Sequence, residues 1–347
     1  MSEFWVVPGT AAAEVLAVSG PEVMAAVGSA YQLHEAGASV NPDSYFLRFA
    51  DKPSARVIAL PAYLGGPVDR IGIKWISSFP GNLQQGLPRA SAVLVLNDYT
   101  TGTPVACLEA AGISAARTAA SAALTTARLR RGERGGSVGF VGTGVIATSI
   151  ASYLSLVTSF GEATCYDRDR DRARRFADTL AGTLGTAVQV ADDLHQPLRC
   201  DVVVFATTAA EPYVAPQTRF APGQVVLNIS LRDLPAEPLL HASNVVDDVE
   251  HCLKAATAPH LAEQRTGSRS FINGTIGQLL GPGLDLDPGR ATIVSPFGLG
   301  ILDIAVGDLV LRRAIAAGTA LPIPGFFPSG APQFPSGAPQ FPSGAPQ

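Results

Sequence analysis

The chain has 347 residues, 47% of them hydrophobic and 16% charged, with a formal net charge of -4. A single hydrophobic core usually stops growing near ~250 residues, so this length predicts two domains. The mildly acidic balance implies no basic face of the kind that nucleic acid or an anionic membrane requires, and a small-molecule partner is expected instead. Cys107, Cys165, Cys200 and Cys252 stand far apart with no C-x-x-C pair, and no H-E-x-x-H occurs, so neither a metal site nor a disulfide framework is expected. The opening Met1-Ser2-Glu3-Phe4 lacks the basic start and apolar core of a secretory signal, which predicts a cytoplasmic protein. Apolar runs such as Val202 to Ala206 fall well short of the ~20 residues that span a bilayer.

In chain order, strand-like runs come first, at Tyr45 to Phe49, Arg56 to Leu60, Ile71 to Ile76 and Ala92 to Asn97, with no long helix between them. They predict an α+β domain over residues 1–130. From Ser114 to Arg131 the chain is alanine-rich and free of proline, with Gly132 as a stop, and reads as one helix leading into the next domain. Strands at Ser137 to Val141, Ala163 to Tyr166, Val202 to Phe205, Val225 to Asn228 and Asn244 to Val246 then alternate with helical stretches, the pattern of an α/β, doubly wound parallel sheet over residues 131–298. A last helix, roughly Gly298 to Ala317, places Ile301, Ile304, Ala305, Val306, Leu309 and Ile315 mainly on one side, with Asp303, Arg312 and Arg313 on others. Finally, Phe-Pro-Ser-Gly-Ala-Pro-Gln repeats three times over residues 327–347, too poor in apolar side chains to offset chain entropy, and is expected to be a disordered tail.

The strand Ser137 to Val141 runs directly into Gly142-Thr143-Gly144-Val145-Ile146-Ala147, a G-x-G-x-x-A at the opening of a helix. Gly142 permits the tight turn, Gly144 lets a pyrophosphate approach the backbone, and Ala147 lets helix and strand pack closely. The phosphates then meet the free N–H groups of the helix start, at Val145 and Ile146. The next strand ends in Asp167, where an acid binds both ribose hydroxyls of NAD. Strand, glycines, helix, strand and acid in that order predict a Rossmann-type domain. Arg168 and Arg170 follow at once and are suited to the 2′-phosphate of NADP, but the acid favours NAD.

Three segments of the first domain carry a cation in apolar or glycine-rich surroundings: Phe46-Leu47-Arg48-Phe49, Gly72-Ile73-Lys74-Trp75 and Ala115-Ala116-Arg117-Thr118. Any one of them alone is more simply a side chain that snorkels or pairs with an acid. Together they suggest a carboxylate-bearing substrate, which the planar fork of arginine grips bidentately.

Gly72-Ile73-Lys74-Trp75, Ser114-Ala115-Ala116-Arg117-Thr118-Ala119-Ala120, Val141-Gly142-Thr143-Gly144 and Asp233 after the strand Val225 to Asn228 resemble the ordered motifs of the ornithine cyclodeaminase/mu-crystallin family. The resemblance covers roughly Asn41 to Gly307. It implies that Arg48, Lys74 and Arg117 bind the substrate α-carboxylate and that Asp233 is the acid/base. It extends the NAD-contacting residues to Thr207 and to Ser295 near the nicotinamide, implies a homodimer, and returns the C-terminal helix, residues 299–326, to the first domain. Gly72 to Asn82, Gly86 to Ala92 and Asn228-Ile-Ser-Leu-Arg-Asp233 look like the branch of N-(2-amino-2-carboxyethyl)-L-glutamate dehydrogenases, which form 2,3-diaminopropionate for siderophores or peptide antibiotics. Ornithine-using members have G-G-D where this chain has Leu231-Arg232-Asp233, and the carboxylate at their amine end falls near apolar Ile58.

On the residues alone, an aspartate followed by Pro235 is also a turn former, and a serine before Pro296 is also a loop residue. Asp247-Asp248-Val249-Glu250 and Asp285-Leu286-Asp287 lack the spacing of a calcium loop. The chemistry implied is hydride transfer from Cα of an amino acid to NAD, with Asp233 exchanging protons with water and the leaving amine, and Lys74 holding the carboxylate and favouring loss of the amine proton. Ornithine cyclodeamination, imino-acid reduction and non-catalytic binding of the mu-crystallin kind are the competing readings.

Overall fold

The computed structural model describes residues 3–327. The repeat at 327–347 therefore lies outside the described residues, apart from Phe327, whose ring stands edge-on to Phe4 with centroids 6.0 Å apart. The first part of the chain forms β1 (Phe4–Val7), α1 (Gly9–Val18), α2 (Gly20–Glu35), β2 (Ser39–Val40), β3 (Tyr45–Phe49), β4 (Lys52–Leu64), β5 (Arg70–Ser78), β6 (Ala90–Asp98), β7 (Pro104–Glu109) and α3 (Ala111–Leu129). There follow β8 (Ser137–Val141), α4 (Val145–Val157), β9 (Glu162–Tyr166), α5 (Arg170–Leu184), β10 (Val188–Val190), β11 (Val202–Phe205), β12 (Val225–Asn228), α6 (Ala236–Leu240) and β13 (Ser243–Val246). The chain ends in α7 (Val249–Cys252), α8 (Ala258–Thr266), β14 (Ile272–Thr275), α9 (Ile276–Leu280), β15 (Thr292–Ser295), α10 (Gly300–Ala316) and β16 (Leu321–Ile323).

Two sheets organise these elements. The first runs β16-β1-β7-β6-β5-β4-β2, with β3 also paired to β4. Side chains along a strand alternate between faces. One face of this sheet therefore carries Gly72, Lys74, Ile76 and Ser78 of β5 level with Leu96, Leu94, Ala92 and Ala90 of β6. That face is covered by α10, which packs on β4, β5 and β6. A methyl group at Gly72 would come within 2.6 Å of the Val95 carbonyl and 3.3 Å of Ile304, so only glycine lets the helix lie this close. The opposite face leaves Tyr45, Leu47, Trp75 and Val93 exposed.

The second sheet runs β10-β9-β8-β11-β12-β15-β13-β14, and every pairing in it is parallel. From β8 the chain steps to β9 on one side and later to β11 on the other, which opens a crevice at the carboxyl ends of β8 and β11. This is the doubly wound α/β fold expected. All the strands anticipated within it are present, joined by β10, β14 and β15.

The last helix departs from expectation. From Gly300 to Leu311 every residue of α10 is buried, including Asp303 and Asp308, whereas Ile315 is 37% exposed. As far as Leu311 the helix is enclosed by α1, α2, α3 and the first sheet, so this stretch has no solvent face on which to place those acids, and only the last turn, with Arg312, Arg313 and Ile315, reaches solvent. No single helix among the described residues is long and apolar enough to cross a membrane.

Candidate active site

The turn after β8 has the geometry of a phosphate cradle. Gly142 holds φ at 89°, and a methyl group there would stand 2.6 Å from the Ala206 carbonyl. At Gly144 an added Cβ would meet no protein atom within 4 Å, so the backbone faces open space at the start of the 13-residue α4. Val145 is exposed on the first turn, Ile146 is half-buried, and Ala147 is fully buried against the sheet. At the end of β9, Asp167 fastens this turn: one carboxylate oxygen accepts from Thr143 N at 3.0 Å and Thr143 Oγ1 at 2.9 Å, and the other from Asp169 N at 2.9 Å. Arg168 is exposed, and Arg170 is paired with Asp192 at 2.7 Å. The residues fit a dinucleotide: an open glycine backbone, a helix start and a fixed acid.

Asp233 is completely buried beyond β12. Its side chain accepts hydrogen bonds from the hydroxyls of Thr207 and Ser230 and from Tyr213 Oη, the last at 2.8 Å. Burial, reinforced by the adjoining Asp233 carboxylate, holds the Tyr213 phenol well above its ordinary range, so it remains a donor. Thr207 was assigned to the cofactor from sequence; its hydroxyl reaches Asp233, while its methyl lies 3.0 Å from where a Gly142 side chain would begin. It therefore joins the glycine turn to the acid. Just before Asp233, Leu231 adopts φ 65°, ground that favours glycine, and its carbonyl is held by Ala258 N at 2.7 Å. That unusual backbone aims Arg232 and Asp233 in different directions.

Lys74 is 1% exposed and donates to Asp303 Oδ2 at 2.7 Å and Ser114 Oγ at 3.1 Å. Arg117 Nε donates to the other Asp303 oxygen at 3.3 Å. Burial pushes the Lys74 ammonium down to about 8; the Asp303 carboxylate opposes this and Arg117 adds to it. Two cations share one anion, which leaves a net positive charge in a buried place. Arg117 also lies under the loop after β15: a Cβ at Gly298 would stand 2.6 Å from its guanidinium, and Gly298 N donates to Asp247 at 2.6 Å. The triad thus touches the carboxyl edge of the dinucleotide sheet.

Among the residues singled out from sequence, Lys74 and Arg117 are brought together on Asp303, and Thr207 and Asp233 on each other. Arg48 is not brought to the triad: it is exposed on β3, with its guanidinium 5.3 Å from the centre of the Phe46 ring. Ser295 is buried, and its hydroxyl is engaged by Asn228 Nδ2 at 2.9 Å. Sequence reasoning missed Asp303, Tyr213 and Ser230. Ser230 stood inside the quoted motif, three residues before the acid, whereas Tyr213 gave no signal.

Fold and site define a two-sheet, dinucleotide-binding protein with a buried acid at the crevice and a lysine–arginine–aspartate triad on the first sheet and its helices. Residues 8–316 match the ornithine cyclodeaminase/mu-crystallin family, and the chain belongs to that family. It is 30% identical to an alanine dehydrogenase of Archaeoglobus fulgidus over 86% of this chain and 92% of that protein. It is 28% identical to the N-((2S)-2-amino-2-carboxyethyl)-L-glutamate dehydrogenase of Staphylococcus aureus, over 75% of this chain and 79% of that one. Among solved structures, an archaeal alanine dehydrogenase dimer with bound NAD is similar with a TM-score of 0.81 and 27% identity, covering 93% of this chain and 100% of the other.

Replacing Asp303 with alanine removes the carboxylate that, among the described residues, pairs with both the buried Lys74 and the largely buried Arg117. Breaking a buried ion pair in this way costs about 3–5 kcal/mol. The denaturation midpoint of Asp303→Ala should fall accordingly, and a midpoint equal to the parent's would show that the triad does not hold the sheet and α10 together.

Proposed function

We propose that this protein oxidises N-(2-amino-2-carboxyethyl)-L-glutamate with NAD and water, releasing L-2,3-diaminopropionate and 2-oxoglutarate. It is an NAD-dependent oxidoreductase of the amino-acid class; the particular substrate is our inference. The observation that carries the reading is the contact chain Gly142, Thr207, Asp233, which ties the dinucleotide turn to a buried acid. The choice of substrate is supported by the relative from S. aureus and by two features of the site. Leu231-Arg232 precedes the acid, and Ile58 lies between Phe46 and Ile76 in an apolar row that offers nothing to a side-chain ammonium. A homodimer belongs to the same proposal: Tyr45, Leu47, Trp75 and Val93 expose apolar surface on the face of the first sheet turned away from Lys74, and the archaeal alanine dehydrogenase is a dimer.

NAD, when bound, supplies a hydride acceptor. Gly142, Gly144 and the start of α4 hold its pyrophosphate, and Asp167 holds its ribose hydroxyls. Lys74 and Arg117 hold the substrate α-carboxylate and so fix Cα, from which the hydride departs to leave a substrate iminium. Lys74, a positive charge beside the substrate, favours the uncharged amine from which hydride leaves. Asp233 takes a proton from the water that adds to the iminium carbon, then returns one to the departing amine as the carbinolamine collapses. A carboxylate offers about four acceptor positions. Thr207, Ser230 and Tyr213 take three, which orients the group and leaves about one acceptor position for the reacting water.

Purified protein supplied with NAD and the adduct should produce NADH, 2-oxoglutarate and diaminopropionate in equal amounts. NADP should serve poorly, since Asp167 repels a 2′-phosphate. NADH with pyruvate from alanine, or proline from ornithine without net NADH, in place of turnover of the adduct would overturn the proposal.

Asp233→Asn keeps the size of the group but cannot accept a proton, so kcat should fall about a hundred to ten thousand-fold with NAD binding retained. Arg117→Ala should instead raise KM for the substrate, with a smaller loss in kcat from misplaced Cα. A near-normal kcat in Asp233→Asn would remove the acid from the mechanism.

A further inference from the structure

Beyond the triad, the structure gathers a second set of cations that the steps above do not use. Arg48 of β3 is the register partner of Arg56 of β4, and Arg56 is the partner of Ser78 of β5. Ser78 Oγ accepts from Arg89 Nη1 at 2.9 Å. Residues paired across antiparallel strands point to one face, and Ser78 is four residues from Lys74 on β5, so this row shares the face of Lys74, about 13 Å along the strand. From the other sheet comes Arg232, next to Asp233. Its Nε and Nη2 are both fixed on the Ala255 carbonyl, at 3.2 and 2.7 Å, leaving Nη1 without a hydrogen bond among the described residues.

Among the described residues, no carboxylate lies within 4.0 Å of Arg48, Arg56, Arg89 or Arg232, whereas Arg117 and Arg312 each have one and Arg70 and Arg269 each have two. Arg56, Arg89 and Arg232 are half-buried. Burial, followed by repulsion from Arg232, Arg89 and Arg48, lowers the affinity of Arg56 for its proton, and burial and Arg48 do the same to Arg232. Gathering like charges in partly desolvated ground opposes folding unless something anionic compensates. A cavity of about 220 Å³ opens beside Phe46, which underlies Arg48; it is lined also by Ala255 and Phe297, from the carboxyl edge of the second sheet, and by the ion-paired Asp43 and Lys254.

We infer that Arg56, Arg89 and Arg232, with Arg48 at the rim, form a second anion subsite for carboxylates of the substrate distal to the reacting carbon. This rests on the function proposed above and sharpens it: the enzyme is built for an amino acid with several carboxylates. The adduct carries two beyond the α-carboxylate of its glutamate half. One belongs to the glutamate side chain and the other to the aminocarboxyethyl arm. Guanidinium forks suit such groups because each can take both oxygens. Alanine and ornithine have only the carboxylate that Lys74 and Arg117 hold, and they leave the row unfilled.

The test compares the adduct with two analogues, its γ-amide and N-(2-aminoethyl)-L-glutamate, which lacks the other distal carboxylate. With the full chain and NAD, at least one analogue should lose about ten- to a hundredfold in kcat/KM, as expected for charge-assisted hydrogen bonds. Arg56→Gln and Arg89→Gln, each with its thermal transition checked, should bring the adduct down toward that analogue, and Arg89→Lys should recover part of the loss. Both analogues turned over within threefold of the adduct would overturn the subsite and leave the proposed reaction standing. If the adduct is not turned over, calorimetry on the NAD-loaded protein still decides. L-Glutamate bound more tightly than L-glutamine, with the difference lost in Arg56→Gln, supports the subsite while the reaction fails. Equal binding of the two, or binding of inorganic phosphate alone, overturns it.

Discussion

A lysine and an arginine sharing one aspartate in the interior is an expensive arrangement, and much of the molecule is organised around it. Lys74 comes from a strand of the first sheet, Arg117 from the long helix α3, and Asp303 from the last helix. Each charge is buried only because the others are present. The triad therefore requires α10 to return from the end of the dinucleotide sheet and lie on β5, and Gly72 is the residue that lets it come close enough. The net positive charge left over lies in ground from which water is largely excluded, where attraction for an anion is strongest, and the proposed function assigns it to the substrate carboxylate.

The second constraint lies at the carboxyl edge of the parallel sheet. Gly142 after β8, Thr207 after β11 and Asp233 after β12 stand on adjacent strands, so that one crevice holds both the phosphate turn and the acid. Arg117 reaches this edge through the Gly298 loop, and Asp247 holds that loop by its backbone. Lys74 and Arg117 on one side and the acid on the other are thus carried by elements of different sheets, and packing sets their separation; on the proposed function, that is what would orient Cα toward the nicotinamide.

The parallel sheet was legible because its strands are short β-branched runs bounded by turn residues, and because Gly142 to Ala147 and Asp167 stand at the spacing the fold demands. Lys74 and Arg117 were legible as cations in apolar surroundings, although their meeting on a shared aspartate was not. Asp303 lies 229 residues from Lys74, and helical periodicity placed it away from the apolar stripe. Periodicity reads one buried side of a helix, and α10 is enclosed on all sides from Gly300 to Leu311. The helices α1 and α2 and the strand β15 went unread, since a four-residue buried run such as Thr292 to Ser295 carries no alternation. The arginine row was hidden for a different reason: Arg56 and Arg89 become neighbours only through the register of β4 and β5 and the bond to Ser78.

On the proposed function, the triad, the crevice and the acid together place one carbon–hydrogen bond of an amino acid against NAD. The most direct measurement follows that hydrogen. With the adduct deuterated at the glutamate Cα, one turnover should carry the deuterium into the nicotinamide ring of NADH, with none in water or in diaminopropionate. Deuterium released to solvent, or retained in the amino-acid products, would contradict the claim.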